Sequence, residues 1–143
     1  MKQTTLCYLE QDGKYLMLHR TKKQNDINHD KWIGVGGKFE AGETPEQCML
    51  REVWEETGFT VTKWKYRGIV VFYLDEQYGE EMHLFTCMEW SGKQKVCDEG
   101  DLAWIDKRKL AELPMWEGDA IFLNLVNNIN EPFFNLTSLA ILA

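Results

Sequence analysis

Three features of this 143-residue chain predict an α/β fold in which a mixed β-sheet lies between helices. Its β-prone runs come in pairs joined by turn signals, so they read as hairpins and not as strict βαβ alternation. Two segments carry helical caps or helical apolar spacing. The composition is globular, with 44 % hydrophobic and 13 % aromatic residues, which argues against disorder. The length suits one domain spanning residues 1–143. A chain of that size buries about two-thirds of its unfolded surface.

Residues 4–9 are apolar and β-prone, Gln11-Asp12-Gly13 is a turn, and residues 14–19 form the second strand of a hairpin. Residues 21–30 are polar and aperiodic, a loop. The stretch Gly34-Val35-Gly36-Gly37 is dense enough in glycine to be irregular or tightly turned. The clearest helix opens with the capping box Thr44-Pro45-Glu46-Gln47, runs to Thr57 and stops at Gly58. Strands follow at 65–74 and 81–90, with a turn at 75–79 between them. Residues 93–101 read as a loop, 102–105 as a short strand and 106–113 as a short helix ended by Pro114. Ile121, Phe122, Leu125 and Val126 are spaced for a helix over 118–128. The tail, residues 132–143, has no charge. It is expected to form a strand or to pack on a partner subunit, unless it only completes the core.

Sixteen basic residues against twenty-three acidic ones give a net charge of −7, which disfavours polymeric nucleic acid as a partner. No apolar run approaches the roughly 18 residues of a membrane helix, and the first ten residues do not read as a signal peptide. Cys7, Cys48, Cys87 and Cys97 form no C-x-x-C pair, and His19, His29 and His83 lie far apart, against a zinc site. Four reduced thiols in a cytoplasmic protein fit this pattern.

The helix over 44–57 carries the chemistry. With Glu52 at zero on a wheel of about 100° per residue, Glu55 falls near −60° and Glu56 near +40°. Leu50, Val53, Trp54 and Thr57 lie between about 100° and 200°. The helix is therefore expected to dock through that apolar stripe and to present three carboxylates outward. Arg51 is placed to hold a carboxylate with both arms of its guanidinium. Two readings stand for the acids alone: a solvated charged face, or a cluster awaiting Mg²⁺ or Mn²⁺, which favour oxygen ligands.

Spacing separates them. Gly37, Glu43, Arg51-Glu52, Glu55-Glu56 and Gly58 fill all seven fixed positions of G-x5-E-x7-R-E-U-x-E-E-x-G-U, where U is bulky and apolar. Agreement by chance at one starting point is on the order of 10⁻⁹. This segment, residues 37–59, resembles the Nudix box, with Phe59 where an aliphatic residue is usual. The resemblance extends to the hairpin over 4–20, to Lys31-Trp32-Ile33-Gly34-Val35-Gly36-Gly37-Lys38 and to Trp116-Glu117-Gly118-Asp119, which look like the MutT subgroup of Nudix hydrolases.

That resemblance implies an α/β/α sandwich around a mixed sheet. It implies a Mg²⁺-dependent hydrolysis (Mn²⁺ as a substitute) of oxidised purine nucleoside triphosphates, such as 8-oxo-dGTP, to monophosphate and pyrophosphate. By similarity, Glu52, Glu55 and Glu56 bind metal with the Gly36 carbonyl. Glu99 is either an added metal or basic carboxylate or an ordinary loop acid. Glu52 is the first choice for the base that deprotonates water and Glu99 the second, while Arg51 orients the cluster together with Glu43. Arg20, Lys22, Lys23 and Lys38 are cations for phosphate, or solvated surface charges. Trp116 is a face for a purine or a core residue, and Asp119 bonds the base edge or caps a helix. Ile33 and Gly118 stand where the mammalian oxidised-purine enzyme has polar groups, so the preferred base stays open.

Other substrates are weighed by the same features. The proline that marks ADP-ribose enzymes and the arginine-bearing signature of the coenzyme A subgroup are missing. A broad (d)NTP or dinucleoside polyphosphate hydrolase is the main alternative, and a nucleotide-sensing module without catalysis is a distant one. The protein is expected to be a monomer or a homodimer.

Overall fold

In a computed structural model, residues 1–23, 25–26, 28–73, 79–128 and 138–142 are described. The elements are β1 (Lys2–Gln11), β2 (Lys14–His19), β3 (Trp32–Ile33), β4 (Val35–Lys38), α1 (Pro45–Thr57), β5 (Thr60–Tyr73), β6 (Gly79–Ser91), β7 (Asp101–Asp106), a 3₁₀ turn (Lys107–Glu112), α2 (Glu117–Asn128) and β8 (Ser138–Leu142). The expected turn at 75–79 lies outside the described residues except for Gly79, which opens β6. Most of the expected tail lies outside them too. Ser138–Leu142 is a strand, as one of the two readings of that tail requires.

The sheet is mixed. β1 runs parallel to β6 on one edge and antiparallel to β4 on the other. β5 pairs with β6 antiparallel and with β8 in parallel. β2 continues from β1 through the Gln11–Lys14 turn and pairs with β3 and β7. Strand alternation divides β1 between two cores. Leu6 and Tyr8 pack with Met17, Val70, Leu84 and the Phe122, Leu123 and Val126 face of α2. Cys7 and Leu9 pack on the other face with Leu16, Val35, Phe85 and the Met49 and Val53 face of α1. The sheet therefore lies between α1 and α2. β1 is buried on both sides, which explains its near-continuous apolar sequence. All four cysteines are buried and unpaired.

Three expectations need correction. Gly36 and Gly37 are not in a turn: β4 is a strand, with Leu6 opposite Gly36 and Thr5 opposite Gly37. Glycine is required there by close approach, since a Cβ on Gly36 would stand 1.9 Å from the Thr5 carbonyl oxygen. Next, β5 starts at Thr60, five residues before the predicted strand. Register shifts against β6 at Val61/Lys63, Lys63/Trp64 and Tyr66/Gly68 scramble the alternation by which a strand is recognised. Finally, Trp54 is not on the docked stripe of α1. It is 55 % exposed with the Lys95 ammonium over its ring, whereas Glu56 is buried.

Candidate active site

The start of α1 is fixed by its cap. Thr44 accepts from Gln47 N at 3.1 Å, and the Gln47 side chain accepts from Thr44 N at 3.0 Å. At the far end Gly58 takes φ 82° and donates to the Trp54 carbonyl. Between these ends the buried residues are Cys48, Met49, Val53, Glu56 and Thr57. The centre of that arc lies near +70° on the wheel, closer to the carboxylates than the apolar stripe alone predicts. The acidic face is therefore split. Glu56 goes under, Glu52 sits at the boundary and Glu55 stays in solvent with 47 % of its side chain exposed.

Arg51 gathers the outer acids. Its Nε and Nη2 donate to the two oxygens of Glu43 at 2.7 and 2.9 Å, a bidentate pair. Nη1 donates to Glu52 at 2.8 Å and to Glu55 at 3.1 Å, and Nη2 also reaches the Lys38 carbonyl at 2.9 Å. Glu43 further accepts from Glu40 N, which closes the loop ahead of α1. Arg51 holds the Glu43 carboxyl down at about 2. The Glu52 carboxylate lies directly over Gly37, whose missing side chain makes the room: a Cβ there would fall 2.5 Å from the Glu52 carboxyl carbon.

Glu56 accepts from Gly36 N at 3.0 Å. Burial, reinforced by neighbouring Glu99 and Glu52, holds its pKa well above the ordinary carboxylate value. Burial, with Glu55 and Glu99 nearby, also raises Glu52 against the pull of Arg51. Burial works on Glu99 in the same sense, but a hydrogen bond from Glu56, a second from Lys23 and the Arg20 charge outweigh it. Arg20 Nη1 and Lys23 Nζ donate to the Glu99 oxygens at 2.8 and 3.0 Å. In this pair Glu56 is pushed up and Glu99 down, because the cations stand beside Glu99.

The other predicted residues divide. Glu99 joins the carboxylate group across the β6–β7 loop. Arg20 is turned to Glu99 and to Asp26, whose Oδ2 accepts from its Nε at 2.8 Å. Lys22 Nζ donates to the Cys97 carbonyl. Lys38 is exposed at the end of β4. Trp116, exposed just ahead of α2, donates from Nε1 to Asn28 Oδ1 at 2.7 Å, and the Lys31 ammonium lies 5.2 Å from its ring centroid. Asp119 sits in the first turn of α2, where burial and the nearby Glu80 push it up to about 7. Among the described residues its carboxylate has no hydrogen-bond or ion-pair partner. Sequence reasoning passed over Asp26 and Asn28. The one signal was the Asp-x-Asn spacing of an Asx turn, which forms here with Asn28 N donating to Asp26 Oδ1 at 3.1 Å.

Among the described residues no three His, Cys, Asp or Glu side chains already converge as a metal cage. The donor chemistry still suits a hard cation. Glu52, Glu55 and Glu56 supply oxygen only, and burial beside other carboxylates pushes the Glu56 carboxyl well above the ordinary carboxylate value, a penalty a bound cation would relieve. Among the described residues no helix is long and apolar enough to cross a membrane.

The profile of the NUDIX domain family matches residues 2–126. The oxidized purine nucleoside triphosphate hydrolase of Danio rerio is 32 % identical over 126 residues, 87 % of this chain and 79 % of that protein. Nucleoside triphosphatase NudI of Salmonella agona is 31 % identical over 124 residues, 77 % of this chain and 86 % of that one. The solved structure of the mMutator MutT protein from Bacillus halodurans superposes with a TM-score of 0.80 at 30 % identity, covering 92 % of this chain and 85 % of that one.

Proposed function

The chain belongs to the NUDIX domain family as a hydrolase of the MutT type, and from that premise we propose that it converts oxidised purine (d)NTPs, such as 8-oxo-dGTP, to the monophosphate and pyrophosphate. The proposal includes a single domain over residues 1–143, a cytoplasmic setting and a role in cleansing the nucleotide pool. The observation that carries it is the carboxylate group on α1, with Arg51 bonded at once to Glu43, Glu52 and Glu55.

Hydrolases of this family generally use a divalent cation such as Mg²⁺. Here Glu52, Glu55, Glu56 and the Gly36 carbonyl, with Glu99, would hold it. When bound, it neutralises phosphate charge and makes water more acidic. The chain's own residues supply the rest. Water oxygen bonds to phosphorus, the anhydride P–O bond breaks, and the proton of the water passes to a carboxylate. Glu52 suits that role better than Glu99: its pKa is raised by burial, whereas Glu99 is bound by two cations and less basic. Arg51 fixes the orientation of Glu52, and Glu43 fixes Arg51. The exposed face of Trp116 offers a stacking surface for a purine. Asp119, unpartnered and titrating near neutrality, can meet a base edge as donor or acceptor.

The test is a competitive panel of 8-oxo-dGTP, dGTP, 8-oxo-GTP, CTP, ADP-ribose and a dinucleoside polyphosphate with Mg²⁺. Preference for the oxidised purines is expected. Equal rates across the triphosphates would make it a broad (d)NTP pyrophosphatase, and release from none of them would favour a sensing module. Glu52→Gln should lower turnover about 10²- to 10⁴-fold with the fold intact. Near-normal turnover would remove Glu52 from the mechanism.

A further inference from the structure

The described residues of the loop over 20–31 touch both ends of the site. At one end Arg20 Nη1 bonds Glu99 at 2.8 Å, and Arg20 Nε bonds Asp26 Oδ2 at 2.8 Å. The other oxygen of Asp26 accepts Asn28 N at 3.1 Å. At the far end the Asn28 side chain accepts the Trp116 indole N–H at 2.7 Å. Glu99, Arg20, Asp26, Asn28 and Trp116 therefore form one chain of contacts. The side chains of Arg20 and Asp26 are only 12 % and 8 % exposed. The loop is also closed on itself: Arg20 N donates to the Lys31 carbonyl at 3.0 Å and Asp30 N to the Arg20 carbonyl at 2.7 Å. Trp32 N donates to the Pro114 carbonyl at 2.8 Å, which ties β3 to the segment leading to Trp116.

The chemistry of the last link is restrictive. An indole N–H only donates, so it needs the amide oxygen of Asn28 and no other atom of that side chain. Asp26 uses both oxygens, one on a guanidinium and one on a backbone amide, so it sets where Asn28 stands. That bond at its edge, with the Lys31 ammonium 5.2 Å from the ring centroid, restrains a ring that is 39 % exposed.

We propose that Asn28, seated by Asp26, is a positioning residue that aims Trp116 for base selection and couples the ring to the Glu99 end of the site. This rests on the reading of Trp116 as the surface on which the base stacks. Asn28 acts through Trp116 and does not touch the reacting phosphate. Its loss should appear in KM and base preference, not in turnover.

The experiment measures wild type, Asn28→Ala, Asn28→Asp, Trp116→Phe and the Asn28→Ala/Trp116→Phe pair on the same nucleotide panel. Asn28→Ala should raise KM for the best purine triphosphate about five- to tenfold, the scale of one lost hydrogen bond, with kcat within about threefold. Asn28→Asp retains an acceptor and should restore most of that loss. The double variant should be no worse than Trp116→Phe, because both changes cut the same link. A base ratio and KM unchanged in Asn28→Ala, or losses that multiply in the double variant, would overturn the proposal. A second readout needs no turnover. The Trp116 indole N–H resonance, identified by its absence in Trp116→Phe, should move in Asn28→Ala and in Asp26→Ala. If wild type cleaves no triphosphate, the substrate reading fails. The resonance still decides the coupling, and a signal unmoved in both variants overturns it.

Discussion

Arg51→Lys separates charge from shape. Lysine keeps the positive charge but cannot offer two parallel N–H groups to Glu43 while bonding Glu52. The expected loss is about 1–2 kcal/mol in urea unfolding, held down by the partial exposure of the pair. Turnover should fall further, because Glu52 is no longer aimed. The same contact predicts acid behaviour. Glu43 sits at about 2 in the folded protein against an ordinary 4.5, so its stabilising contribution is complete above pH 4.5 and is lost as pH falls through 2. Asp119 has the opposite sign. Its folded value of about 7 lies above the ordinary 3.8, so the folded state binds the extra proton in that window. Stability from this group is present below pH 3.8 and is lost as pH rises through 7. Asp119→Asn should therefore flatten the fall in Tm between pH 5 and 8 and leave the variant more stable than wild type at pH 8. Melting curves across that range check it, and parallel curves for the two proteins would refute it.

On the scale of elements, β4 and α1 make the site together, and two adjacent glycines test how. Gly36→Ala sets a methyl against the Thr5 backbone, which cannot move without breaking the β1–β4 ladder. It should cost about 3 kcal/mol or more. Gly37→Ala sets a methyl against the end of the Glu52 side chain, which can swing aside. It should fold with a Tm near wild type and lose most of its turnover. Denaturation and initial rates on the two variants discriminate these outcomes. The helix was legible from its cap, its proline and its terminal glycine, which are local. Its docked arc was not. A wheel ranks residues by their own polarity, and it missed that the Gly36 amide would draw Glu56 under while Lys95 covered Trp54 in solvent. The glycine run misled for a related reason: its rule is the distance to a neighbouring strand, which the sequence of one strand does not contain.

At the level of the whole molecule, the charge of −7 makes anionic substrates unwelcome without cations. The seven box positions were readable because their spacing is fixed along one continuous stretch, from the end of β4 through the loop and α1 to its Gly58 cap. The Asn28–Trp116 link was hidden because it closes across 88 residues, although the Asp26–Asn28 turn that seats it is local. Metal should act on the fold as well as on the chemistry. At 100 times its Kd, Mg²⁺ should add about 2.7 kcal/mol of stability by mass action. A chelator should remove that increment, and Glu56→Gln should shrink it. Identical melting with Mg²⁺ and with chelator would argue against a site on α1.

The parallel pairing of β1 with β6 bears on how the chain is made. Gln3 meets Glu81 across 78 residues of sequence, so β1 is synthesised long before its neighbour. At roughly 5–20 residues per second, a bacterial or eukaryotic ribosome leaves that apolar edge waiting for several seconds. Its antiparallel contacts to β2 and β4 and the packing of α1 on one face are what can cover it meanwhile. Yield in cells should then respond to translation speed and chaperone supply more than to the stability of the finished protein.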